Sequence, residues 1–240
     1  VLHKTRGIVL KTTPYAETSV VVQVFTEKFG MQAYLINGVK KAKAKIHQNI
    51  LQPLHLLDLI VYQKNAAGLN RIAEARQLPI FQRIPYDIIK SSMALFITEM
   101  VYKSVRQQGP DGQLFDYLFN ATCWLDSSEE TPVNFHLFFL LKLTKYLGFY
   151  PASRLAGQAY FDLKEGVFTP FTPGHIFALH EPHTSQWNAL LNSRLTTLGA
   201  TRIGNQDRKV LLQKLIDFYQ LHIDGLGEIK SLEILEEVLA

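Results

Sequence analysis

Cysteine is nearly missing from this chain: Cys123 is the only one in 240 residues. That excludes an intrachain disulfide and any zinc site built on Cys-x-x-Cys pairs. Its surroundings, the apolar stretch Ala121 to Leu125, suit a buried structural thiol. Long hydrophobic runs are absent too. None approaches the ~18 to 20 residues that cross a bilayer, and the opening Val1, Leu2, His3, Lys4 lacks the apolar core of a signal peptide, so a cytoplasmic protein without a membrane span is expected. No glycine-rich segment ends in Gly-Lys followed by Ser or Thr, and no Gly-x-Gly-x-x-Gly or Gly-x-Ser-x-Gly occurs, which argues against nucleotide hydrolysis, Rossmann cofactors and a nucleophile elbow. The adjacent carboxylates Glu129 with Glu130 and Glu236 with Glu237 read as solvated surface, because neighbours on a helix point in different directions.

What is present is a division of charge. Residues 1 to 80 hold eleven Lys and Arg against four Asp and Glu, whereas residues 81 to 240 hold fourteen against seventeen. A small basic domain on a near-neutral partner points to a polyanion ligand, of which nucleic acid is the commonest. Within the basic part, short β-prone runs alternate with turn signals. Five strands are expected: Gly7 to Thr13, Thr18 to Phe25, Met31 to Asn37, Leu51 to Gln63 and, beyond a break from Asn65 to Gly68, Leu69 to Leu78. A longer connection between the third and fourth fits an OB-fold, and an SH3-like barrel fits nearly as well.

From Pro79 the apolar period becomes helical. Ile88, Leu95, Phe96, Met100 and Val101 mark a helix that stops near Gly109 and Pro110, and Asp111 can cap the next, through Leu114, Phe115, Leu118 and Phe119. Pro132 fits the first turn of a third helix reaching Leu147 before Gly148; three helices in sequence predict a bundle. Tyr150 to Pro182, rich in Gly and Pro, predicts loops and a hairpin. Leu211, Leu215 and Phe218, with Leu212, Ile216, Tyr219 and Ile223, predict a well-buried helix, and Ser231 can cap a last short one. The fold class expected is α+β: an N-terminal barrel at 1–79, then a mainly helical domain at 80–240 with a loop-rich, zinc-free insert at 150–182.

Lys40, Lys41, Lys43 and Lys45 are the candidate phosphate contacts, accompanied by Lys4, Arg6, Lys11, Lys28, Arg71 and Arg76 in the same domain. Tyr15, Phe25, Phe29 and Tyr34 are candidate base platforms, with core packing the alternative for each. Alternation leaves Phe25 free to face core or groove. His175, His180 and His183, with Glu181, are the one cluster worth weighing for a metal, but the ligand set is incomplete. No cofactor is expected.

GIVLKTTPYAETSVVVQVFTEKFG (Gly7 to Gly30) resembles the RecO recombination mediator family. The resemblance continues, in the family's order, through NGVKKAKAK (Asn37 to Lys45), LQPLHLLDLIVYQK (Leu51 to Lys64), LGFYP (Leu147 to Pro151) and LLQKLIDFYQLHIDGLGEIKSLEIL (Leu211 to Leu235). It implies an N-terminal OB-fold, a helical bundle and often a small zinc module. Where many members carry two Cys-x-x-Cys pairs this chain reads ASRLAGQAYFDLKEGVFTP (Ala152 to Pro170), so the module's shape is expected without its metal, held by Leu155, Tyr160, Phe161 and Phe168.

The resemblance also implies binding of single- and double-stranded DNA, annealing of complementary strands and, with RecR, help for RecA in replacing single-stranded DNA-binding protein. Family members recruit that protein through its acidic, phenylalanine-ended tail. Phe96, Met100 and Lys103, with Lys142 and Lys145, are the residues here that could offer an apolar pocket beside a cation, plain core being the alternative for the apolar ones. A RecR adaptor with incidental DNA affinity is the rival reading. An enzyme on nucleic acid would need clustered carboxylates, and Glu17, Glu27, Asp58 and Glu74 lack the spacing.

Overall fold

The computed structural model describes residues 1–63, 68–105, 109–130 and 132–239. Of the break expected from Asn65 to Gly68, all but Gly68 lies outside the described residues. The chain divides into two compact units, Val1–Ser127 and Ser128–Ala240.

In the first unit β1 (Leu2–Pro14), β2 (Val20–Thr26), β3 (Gly30–Ile36), β4 (Leu56–Tyr62) and β5 (Leu69–Gln77) close into a barrel in the order β1-β2-β3-β5-β4. All pairs are antiparallel except β3 with β5. A long first strand that serves two neighbours, with one parallel closure, makes this an OB-fold rather than an SH3-like barrel. β1 pairs with β4 over Leu2 to Ile8 and with β2 from Gly7 onward. At the crossover a Cβ on Gly7 would lie 2.6 Å from Val24 Cγ1 and 2.8 Å from Leu59 Cδ1, so only glycine lets the strand bend across the barrel interior. The core holds Val9, Val20, Val22, Val24, Tyr34, Ile36, Leu57, Leu59 and Val61. The fourth strand begins at Leu56 and not at Leu51. Gln48–Leu51 forms a 3-10 turn, Pro53 has no N–H to give a ladder, and Leu54 sits at φ 60°.

Two helices, α1 (Ile88–Val105) and α2 (Gly112–Ser127), belong to the barrel's unit. Asp87 Oδ1 accepts the N–H groups of Ile89 and Lys90, and Asp111 Oδ1 that of Leu114, so each helix has an aspartate cap. Asp126, late in α2, accepts the backbone N–H groups of Gln82, Arg83 and Ile84. One carboxylate thereby ties the connector after the barrel to α2. The expected run of three bundled helices is thus shared out: α1 and α2 pack in the barrel's unit, and the third helix belongs to the second unit.

That second unit opens with α3 (Phe135–Leu147), one turn later than Pro132, whose carbonyl accepts the N–H of Phe135 at 2.8 Å. Gly148 ends it at φ 89°. The hairpin β6 (Tyr160–Asp162) and β7 (Val167–Thr169) comes next, with β8 (Ala178–Leu179) on the other edge of β6. Then come α4 (His183–Asn192), α5 (Asn205–His222) and α6 (Leu232–Val238). The cysteine-free insert is held by rings: Phe161 lies 4.8 Å from Phe168, 5.4 Å from Trp187 and 5.9 Å from Phe218, centroid to centroid. Leu155, expected in that packing, is instead exposed, and Tyr160 is half-buried with its ring edge-on to His180. Arg154 takes over at the periphery, donating to Glu181, Ser185 and the carbonyl of Gln158.

Candidate nucleic-acid interface

The lysine run leaves β3 through Gly38, at φ 72°, and folds into tight turns closed by Lys41 N–H to Gly38 O at 3.1 Å and Ala44 N–H to Lys41 O at 3.0 Å. Val39 and Ile46, one at each end, are buried in the barrel core. These two anchors hold the loop against the barrel, and Lys40, Lys41, Lys43 and Lys45 between them are all exposed. Lys41, Lys43 and Lys45 line a groove of about 410 Å³ with Thr18, Asn37 and Arg71. Arg71 comes from β5, where it pairs with Leu35 of β3. Lys40 lines the neighbouring depression with His47, Gln48 and Asn49. None of these five cations has an ion-pair partner among the described residues. Cations gathered without carboxylates create a positive potential that a phosphate backbone can neutralise.

Four other cations of the barrel, Arg6, Lys4, Arg76 and Lys11, are engaged within the protein. Arg6 donates to both oxygens of Glu27, at 3.0 and 2.9 Å, and to Asp116 of α2 at 3.1 Å, while its guanidinium lies over Phe115 and Phe119. Hydrogen bonding from Arg6 holds the Glu27 carboxyl below its ordinary range, against a smaller opposing effect of burial. Lys4 and Arg76 share Asp58, at 3.2 and 3.6 Å. The Lys11 ammonium sits 5.1 Å from the Tyr102 ring centre. Lys28 is exposed in the β2–β3 turn beside Glu27.

Of the four candidate rings, Phe25 and Tyr34 are fully buried. Phe25 faces α2, stacked on Phe115 at 6.3 Å. Tyr34 is in the barrel core, where burial pushes its hydroxyl well above the ordinary phenol value. Phe29 is half-buried and packs edge-on to His3. Tyr15 alone of the four is exposed. A fifth ring, Tyr62, is not among the sequence candidates and is 43% exposed. Its signal is the alternation of β4: Leu57, Leu59 and Val61 enter the core, so Asp58, Ile60 and Tyr62 face outward.

Phe96 and Met100, expected as walls of a peptide pocket, are fully buried in α1 and have no surface to offer. Lys103 pairs with Glu99 one turn back at 3.1 Å. In α3, Lys142 donates to the carbonyl of Leu191 and its pKa is lowered, by burial first and by Lys145 second; Lys145 is exposed. His175 meets Asp162 at 3.3 Å, His183 begins α4 and meets Asp207 at 3.1 Å, and His180 packs on Tyr160. The three histidines therefore serve separate contacts, and no three His, Cys, Asp or Glu side chains gather as a metal-ligand set among the described residues. Cys123 is half-buried rather than enclosed, with its thiol pKa raised by burial and by Asp126. Among the described residues no helix is long and apolar enough to cross a membrane.

The profile of the family described as Recombination protein O, N terminal, matches residues 1–81, and that of Recombination protein O, C terminal, matches residues 85–233. The chain belongs to the RecO family. It is 35% identical over 239 residues to DNA repair protein RecO of Flavobacterium psychrophilum, covering 99% of each chain. It is 35% identical over 241 residues to that of Flavobacterium johnsoniae, again covering 99% of each, and 31% identical over 240 residues to that of Phocaeicola vulgatus, with complete coverage of both. A RecO-family DNA repair protein is what the barrel, the helical part and these relatives together describe.

Proposed function

We propose that this chain binds single- and double-stranded DNA in the cytoplasm, anneals complementary strands and, with RecR, assists the loading of RecA onto DNA covered by single-stranded DNA-binding protein. It does so without an active site. The observation that carries this reading is the groove in which Lys41, Lys43 and Lys45 converge with Arg71, exposed and without carboxylate partners among the described residues. Two complementary strands repel each other through their phosphates. A surface that neutralises phosphates lowers that barrier and leaves base edges free to pair, and DNA displaces condensed counterions when it binds there.

Fluorescence anisotropy with labelled oligonucleotides across a salt series tests it. Binding should fall steeply with salt, and replacing Lys40, Lys41, Lys43 and Lys45 by Ala should lower the slope of log K against log salt by up to about 3.6, at roughly 0.7 to 0.9 for each phosphate no longer neutralised. An unchanged slope would move the site elsewhere; absent or salt-insensitive binding would favour a RecR adaptor. On α3, Lys142 and Lys145 are proposed cations for the acidic tail of single-stranded DNA-binding protein, and full retention of tail-peptide binding in the double Ala variant would remove them from that role.

A further inference from the structure

Arg71 belongs to two cavities. On one side it closes the lysine-lined groove; on the other it lines a second cavity, of about 300 Å³, with Tyr62, Leu69 and Asn70. Tyr62 and Arg71 are direct cross-strand partners, Tyr62 at the end of β4 and Arg71 near the start of β5. The outward alternation of β4 leaves the Tyr62 ring partly exposed, and Leu69 beside it is also exposed. Asn70 is buried at the same place, its side-chain amide donating to Gln32 Oε1 at 3.1 Å inside the barrel. Gln63 donates to the same oxygen at 3.0 Å. The strand ends that carry Tyr62 and Arg71 are thus tied from within, so the ring and the guanidinium stand on a braced edge.

We propose that Tyr62 and Arg71 form a subsite for one unpaired nucleobase, entered from the lysine-lined groove. This rests on the DNA-binding function proposed for the groove and adds a preference for single strands to it. The backbone phosphates lie along Lys41, Lys43 and Lys45, Arg71 takes the phosphate at the junction, and the attached base turns into the second cavity onto the Tyr62 ring and Leu69. An aromatic face accepts any base, because every base has a π surface. A base inside a duplex has both faces covered by its neighbours and cannot enter, so the subsite acts on single strands alone. A strand held this way has one base removed from the solvent at a time and its remaining base edges open to a complement.

The test compares a thymidine homopolymer, an abasic oligonucleotide of the same length and a duplex, for the wild type, Tyr62→Leu and Tyr62→Phe. Leucine keeps apolar bulk on an outward position, and phenylalanine keeps the ring. The wild type should prefer the base-bearing strand over the abasic one. Tyr62→Leu should bind the homopolymer about fivefold or more less tightly, with its preference over the abasic strand much reduced. Its duplex affinity and salt slope should be unchanged, since no charge is removed, and Tyr62→Phe should behave as wild type. If Tyr62→Leu keeps the wild-type ratio of base-bearing to abasic affinity while the lysine variant still shows a reduced salt slope, the subsite is overturned and the groove stands. If the wild type itself shows no salt-dependent binding, the DNA-binding reading falls and takes the subsite with it.

Discussion

Two groups of cations on one barrel are held in opposite ways. Arg6, Lys4 and Arg76 lie on paired strands where acidic residues come opposite or alongside them: Arg6 is gripped by Glu27 and Asp116 over two phenylalanine rings, and Lys4 and Arg76 share Asp58. Lys40, Lys41, Lys43, Lys45 and Arg71 lie on the anchored loop and the start of β5, facing solvent and no carboxylate among the described residues. The same charge therefore serves cohesion in one place and is left for a ligand in the other. Residue type does not separate them; the register of the strands and the two anchors Val39 and Ile46 do.

The sharpest way to break this contrast is to exchange the readouts. Replacing the four lysines should weaken DNA binding by about tenfold or more while unfolding stability stays within about 0.5 kcal/mol, as for surface residues without partners. Arg6→Ala should do the reverse. Its pairs are partly solvated, which limits each to a fraction of a kcal/mol, and with the ring contacts the destabilisation comes to about 1 to 2 kcal/mol in urea unfolding, with little change in salt slope. A destabilised lysine variant, or an Arg6 variant that no longer binds DNA, would erase the distinction.

A smaller effect is the acid response. The Glu27 carboxyl is held below its ordinary 4.5 by hydrogen bonds from Arg6, so its folded pKa lies under its unfolded one. The resulting stabilisation is complete above that ordinary value and is lost as pH falls through the lowered one. Urea midpoints measured from about pH 6 downward should converge between wild type and Arg6→Ala as the solution turns acid, and a constant gap would remove Glu27 from the explanation. The smallest effect is expected from Asp58→Asn, which frees Lys4 and Arg76. DNA affinity should rise slightly, with a slope no more than about 2 steeper even if both cations reach phosphates, and a fall in affinity would show that Asp58 positions them for DNA.

The strand pattern of the barrel and the helical stretches were readable from their periods: Val20, Val22 and Val24 point inward as alternation requires, and Leu211, Leu215 and Phe218 lie along one side of α5. Local chemistry was readable too, in the cap at Asp111 and the stop at Gly148. Alternation failed at Phe25, where both faces of a strand are covered because α2 lies over the barrel. Tyr62 was missed for another reason: its strand reads as nearly continuous apolar sequence, which masks the alternation that turns the ring outward. Phe96 and Met100 looked available for a peptide because a helix with apolar residues all round offers no sign of which side is open.

The sequence alone determined the charge division, the absence of any cysteine-based zinc module, the placing of the barrel strands ahead of the helices and the family, since these depend on composition, period and local spacing. Tertiary structure alone decided which cations remain unpaired, which rings stay outside the core and that Arg71, distant in sequence from the lysine run, joins it in one groove. Pairing and exposure depend on residues far apart in the chain, brought together by strand register and barrel closure, and no local pattern encodes those distances.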